Sequence, residues 1–206
     1  MYEDLQQAPL WIIAFLIQGG FHEAAHAWTA YKLGDPTAEM QGRMTVNPIP
    51  HIDPMGLIFL ILMAIGGMGI AWMKPVPVNI YNLRNPRRDL MLIALAGPVC
   101  NILLALPFAL LLRFVPGLYV ESNPISQLLL IFLDINVLLA AFNLLPIYPL
   151  DGSKVVLGLI PEHLAETWEK TFNYGIWVLL FLLVTRTLKY ALFPIVTFIY
   201  FIIGLG

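Results

Sequence analysis

Long uncharged apolar stretches alternate along the chain with short polar segments rich in proline and glycine. Residues 54–73 (PMGLIFLILMAIGGMGIAWM) and 90–112 (LMLIALAGPVCNILLALPFALLL) are the clearest runs. A helix needs about 20 consecutive apolar residues to cross the bilayer core, and both runs reach that length. A third runs from 124 to 146 and is interrupted by one acid, Asp134; a fourth, 171–185, is shorter, and a last one occupies 190–206. The opening run, from Leu10 to Tyr31, carries no charge except Glu23. The pattern predicts an all-α polytopic membrane protein with about six transmembrane helices. Prolines 98, 107, 146 and 149 predict kinks or breaks in the third and fourth spans. Such breaks are tolerated at membrane depth mainly where they line a cavity or face protein.

Two longer segments separate the runs. Residues 32–53 contain the alternating stretch RMTV (43–46), which predicts a small strand or hairpin at the membrane boundary. Residues 147–170 open on PLDGSK, and from Pro161 their acidic first turn predicts a short surface helix. No repeat or polar stretch marks a second domain, so residues 1–206 read as one membrane domain. Composition agrees: 59% hydrophobic and 12% charged residues with mean hydropathy +0.79 do not suit a surface facing water.

The net charge of -2 decides little, because its distribution matters more. Residues 74–89 (KPVPVNIYNLRNPRRD) hold Lys74, Arg84, Arg87 and Arg88 against one acid. By the positive-inside rule this loop, and with it the N-terminus, is expected in the cytoplasm of a multi-pass cell-membrane protein. Without aromatic interleaving or a soluble domain, the basic loop does not read as a nucleic-acid site. The acidic start MYEDL is unlike a secretory signal. The single Cys100 allows no internal disulfide and reads as a small packing residue.

The stretch GGFHEAAHAW (19–28) places two histidines and a glutamate in an apolar run. On a helix His22 and His26 lie one turn apart on the same face, so both neutral imidazoles reach one metal ion. Glu23 is then near enough to serve as general base for water activated by the metal, the zinc-protease arrangement. Ionisable groups at membrane depth are expensive unless paired or metal-bound, which favours function over interhelical hydrogen bonding. A catalytic zinc usually has three protein ligands, so a third must come from elsewhere. Asp134, Asp151, His51 and Asp53 are the candidates. Asp151 is favoured by local chemistry, because two prolines break the helix before it and a glycine follows.

In this order, HEAAHAW, AGPVCN and FNLLPIYPLDG resemble the site-2 protease family of intramembrane zinc metalloproteases, as do KLGDPTA, NPIPHIDPMG and KPVPVN. The resemblance covers residues from about 10 to 160 and is closest to small prokaryotic members without a PDZ domain. It implies one Zn2+ per chain held by His22, His26 and Asp151, with Glu23 as catalytic base. Asn143 would hold substrate or donate to a developing oxyanion. Asn101 matches a family position but reads equally as packing beside Gly97 and Pro98. His51 reads as a boundary-loop histidine bonded locally, Asn136 as an interhelical hydrogen bonder, and Asp134 stays open.

The implied reaction hydrolyses peptide bonds in or near transmembrane segments of membrane-protein substrates, in contact with the lipid bilayer. A polytopic metal or proton transporter would instead spread its ionisable residues along a path, and here they concentrate in two motifs. An inert membrane scaffold would not need an intact base and ligands. If RMTV pairs with extended substrate, Thr45→Pro should impair cleavage while zinc content is kept. Normal cleavage by that variant would count against the pairing.

Overall fold

The computed structural model describes residues 2–66, 69–115 and 124–205, and among them every regular element is helical. In chain order the helices are α1 (Tyr2–Lys32), α2 (Thr37–Met40), α3 (Pro54–Gly66), α4 (Pro86–Phe114) and α5 (Pro124–Asn143). The order continues with α6 (Asp151–Leu159), α7 (Glu162–Lys170), α8 (Phe172–Val184) and α9 (Leu188–Ile202).

The all-helical expectation holds at this level, but the six spans resolve differently. By length and composition α4 and α5 suffice to cross a membrane, and α8 with α9 would make a third span, bent by 95°. The α1 helix is long, at 31 residues, but the polar run QGGFHEAAH interrupts its apolar character. The α3 helix has 13 residues, roughly 20 Å at 1.5 Å per residue, against a hydrocarbon core of about 30 Å. The rest of the expected 54–73 run is extended from residue 69, and residues 67–68 lie outside the described ones. Pro98 and Pro107 do not break α4; the chain breaks at 144–150, around Pro146 and Pro149.

RMTV forms bends instead of a strand. Its groups bond locally: the Arg43 amide donates to the Ala38 carbonyl (2.8 Å) and the Thr45 carbonyl accepts from His51 Nε2 (2.9 Å). The predicted surface helix after Pro161 is α7, which buries none of its residues.

The core forms where α4, α5 and α9 meet, with Ala105, Ala109, Ala140 and Ala141 filling it alongside Leu133, Val137 and Ile199. Small side chains let helix backbones approach closely, which is how helices pack where lipid removes the hydrophobic drive. Ala14 of α1 packs on Ile131 and Ile135 of α5 in the same way. Large apolar side chains such as Trp177, Phe193 and Phe198 point outward.

A strap without regular secondary structure, residues 69–79, packs against α1 through Val76 and Ala27. Asp35, fully buried just after α1, fixes its far end by accepting from the Asn79 amide (2.7 Å) and from Asn82 Nδ2 (2.8 Å). The same carboxylate accepts from the Thr37 amide (3.1 Å) and hydroxyl (2.5 Å). Burial by itself would push this carboxyl upward, but the donors from Thr37, Asn82 and Asn79 outweigh it and hold it below its ordinary range. A depressed folded-state value adds stability above the unfolded value of about 3.9, lost as pH falls through the folded one. Asp35→Asn should therefore cost about 2 kcal/mol at pH 7. Thermal unfolding in detergent from pH 7 to pH 3 should show the gap to wild type narrowing below about pH 4. Equal midpoints at pH 7 would contradict this.

Candidate metal centre

His22 and His26 lie on the buried face of α1, and Asp151 is the first residue of α6, 129 positions beyond His22. The fold brings the three together: His22 Nε2 is 2.9 Å from His26 Nε2, and Asp151 Oδ2 is 3.2 Å and 3.1 Å from the two nitrogens. Among the described residues this is the one cluster of His, Cys, Asp or Glu fit to hold a metal ion.

Hydrogen bonding fixes what these atoms are. Nδ1 of His22 donates to Asn101 Oδ1 (2.6 Å), and Nδ1 of His26 donates to the Ile93 carbonyl (2.6 Å). With a proton on each Nδ1, both neutral rings present lone pairs at Nε2. Two lone pairs and a carboxylate oxygen then converge with no proton between them, an arrangement a cation relieves. Tetrahedral zinc with bonds of about 2.0–2.1 Å sets its ligand atoms roughly 3.3–3.4 Å apart, close to the spacing here. The donor set thus fits zinc.

A relay stands behind His22. Asn101 is fully buried on α4; its Nδ2 donates to Asn136 Oδ1 of α5 (2.9 Å), and Asn136 Nδ2 donates to the Phe132 carbonyl (2.9 Å). Every amide points the same way, so the chain can only accept a hydrogen bond from His22. Partners of this kind orient the ring and raise its basicity. Packing and interhelical bonding, the sequence readings of Asn101 and Asn136, describe only part of this. The available signal was two asparagines buried at mid-span.

Two glycines allow the helices to close on the site. A Cβ on Gly97 of α4 would lie 2.5 Å from His26 Nε2 and 2.6 Å from His22 Nε2, within the metal position itself. A Cβ on Gly152 would meet the Leu144 carbonyl at 2.3 Å, pushing α6 and its Asp151 away from the end of α5. Arg87 holds the other end of α6, donating to the carbonyls of Leu157 (2.6 Å) and Ile160.

Glu23 is buried beside the triad, and its Oε2 accepts from the Val76 amide of the strap (2.8 Å). It opens on a cavity of about 420 Å3 that also exposes His22, His26, Asn143, Asp151 and Lys154. Asn143, the last residue of α5, spends one amide hydrogen on the Leu139 carbonyl (3.0 Å). Lys154 stands 3.6 Å from Asp151 Oδ1, the oxygen facing away from the histidines. The remaining candidates lie elsewhere. Asp134 accepts from the Tyr200 hydroxyl (2.5 Å), joining α5 to α9, and Asp53 caps α3 through the Gly56 amide (2.8 Å). His51 is buried in the loop before α3.

Gly97→Ala should abolish stoichiometric zinc while leaving the helical circular dichroism unchanged. Asn101→Leu should keep the site but weaken zinc binding by about 10–100-fold, read by chelator competition. Full zinc retention by both variants would refute this account of the site.

The profile of Peptidase family M50 matches residues 117–185, a stretch that includes Asn143 and Asp151. The chain is 40% identical over 199 residues to the Bacillus subtilis protein named "Putative zinc metalloprotease YwhC", covering 94% of this chain and 89% of that one. It is 30% identical over 193 residues to "Putative zinc metalloprotease Rip2" of Mycolicibacterium smegmatis, covering 90% and 70% of the two chains. "Putative zinc metalloprotease MJ0611" of Methanocaldococcus jannaschii is 32% identical over 151 residues, 71% of this chain and 70% of that protein. No solved structure matches. Relatives of this identity and coverage carry the same conclusion as the convergent donor atoms: the chain belongs to the site-2 protease family of zinc metalloproteases, peptidase family M50.

Proposed function

We propose that this chain is an intramembrane protease of the multi-pass type, cutting peptide bonds in or near transmembrane segments, with His22, His26 and Asp151 as zinc ligands and Glu23 as general base. The observation that carries the reading is a buried set of three converging acceptor atoms beside a glutamate, inside a bundle whose α4 and α5 are long and apolar enough to cross a bilayer. Bound zinc supplies Lewis-acid polarisation of the scissile carbonyl and lowers the pKa of water toward 7. Glu23 accepts the proton of the attacking water and returns it to the leaving amine. The Val76 amide occupies Oε2, so Oε1 is the oxygen that takes the proton. Asn143, which lines the cavity and has one amide hydrogen not committed to Leu139, donates to the oxyanion, a role worth about 3–4 kcal/mol where such a donor has been removed.

An apolar substrate suits the surroundings. A second cavity of about 530 Å3, lined by side chains such as Trp11, Leu60, Met63 and Leu192, shares Phe15, Leu139 and Phe142 with the catalytic one. A helical substrate hides its carbonyls in its own hydrogen bonds and must unwind before the cut. Both cavities and the single membrane domain agree with a substrate that arrives as a protein segment from the bilayer.

The test uses the purified full chain in liposomes with a model transmembrane substrate, cleavage being mapped by mass spectrometry. Wild type should cut within or at the edge of the apolar segment. Glu23→Gln should keep one zinc per chain and lose at least about 100-fold in kcat, the low end for a general base. Cleavage undiminished in Glu23→Gln would sink the assignment of the base. Cuts confined to soluble flanking sequence would sink intramembrane action.

A further inference from the structure

Arg43 is buried, 7% exposed, yet makes no ion pair with a carboxylate among the described residues, and its Nε has no partner at all. Burial lowers its pKa and the charge of Glu23 works against that, so the guanidinium stands within electrostatic reach of that carboxylate without touching it, and a buried charge so placed calls for a use. Nη2 supplies two bonds. One goes to the Lys74 carbonyl (2.6 Å), the other to Nδ1 of His51 (3.3 Å). His51 is fully buried, and burial above all, with Arg43 adding to it, holds its ring below its ordinary pKa. The ring is therefore neutral, donates from Nε2 to the Thr45 carbonyl, and leaves Nδ1 as the acceptor that Arg43 needs. The His51 carbonyl in turn accepts from the Lys74 amide (2.8 Å). Both backbone groups of Lys74 are thus fixed from one side.

Two residues further on, the Val76 amide holds Glu23. Residues 75 and 77 are prolines, so Val76 carries the single backbone N–H of the 75–77 stretch and sits between two residues of fixed φ. A stiff segment transmits the placement of its anchored end.

We propose that Arg43, braced by His51, is a positioning residue for the general base: it anchors the strap at Lys74 so that the Val76 N–H holds Glu23 against the metal centre. The inference rests on Glu23 being the base, and it assigns to the 41–51 loop a part in catalysis made without touching substrate. Misplacing a reacting group by about 1 Å can cost about 100-fold, so a slack strap should appear in kcat.

The test is a double-variant cycle in the full zinc-loaded chain in liposomes, comparing Arg43→Met, Val76→Pro and the pair, with Glu23→Gln as reference. Val76→Pro removes the N–H that Glu23 accepts from. Each single variant should lower kcat at least about tenfold with KM within about twofold, zinc content and unfolding midpoint staying at wild-type values. The pair should be no worse than the poorer single, and Arg43→Lys should restore part of the loss. Multiplying effects, unchanged kcat, or a loss tracking zinc or unfolding would overturn the proposal. If Arg43→Met fails to fold, the cycle is run with Arg43→Lys, where additivity with Val76→Pro is equally fatal. If Glu23→Gln remains active, the reading of the base has failed; if it is inactive while Arg43→Met is normal, only the positioning role has failed.

Discussion

Three atoms that repel one another organise this molecule. His22 Nε2, His26 Nε2 and Asp151 Oδ2 are all acceptors, all buried, and about 3 Å apart. Holding them so without a proton to share means fixing every neighbour that decides their tautomers and directions. The α4 helix does most of that: the Ile93 carbonyl orients one ring, Asn101 the other, and Gly97 between them leaves room for a cation. The α6 helix brings the third atom, held by Arg87 at one end and by the missing Cβ of Gly152 at the other. The apolar packing of α4, α5 and α9 is then the frame that keeps these helices in register.

Much of the site was legible because its chemistry is written in short range. Two histidines four apart with a glutamate between need only helix geometry to be recognised as half of a metal site. Among the four candidates for the third place, the proline break and following glycine favour Asp151 on local grounds, and the family resemblance points to the same residue. What was not legible lies across sequence distance. Nothing around Asn101 announces that its oxygen meets a ring 79 residues earlier, or that Asn136 lies behind it. The KPVPVN segment reads as a basic loop, yet it is a strap whose Val76 N–H reaches Glu23.

The spans were less legible than the all-helical fold, for a related reason. Hydropathy registers composition, and several apolar runs met a span's length on that measure alone. In the structure the 54–73 run is no longer helical from residue 69, and the last two runs form a sharply bent pair. The alternation in RMTV met the period of a strand, but a strand needs a partner edge, and here Ala38 and His51 take the backbone groups first. Asn143 was identified by motif, whereas its commitment of one hydrogen to Leu139 follows from its place at the end of α5.

The separation between the two halves of the centre has a consequence for biosynthesis. His22, Glu23 and His26 leave the ribosome long before Asp151, which follows His22 by 129 residues. At about 5–20 residues per second the nascent chain carries an incomplete ligand set for roughly 6–26 s. During that interval α1 offers two imidazoles and no carboxylate. On the proposed assignment, α6 therefore brings its carboxylate to the two imidazoles only after most of the chain has been made.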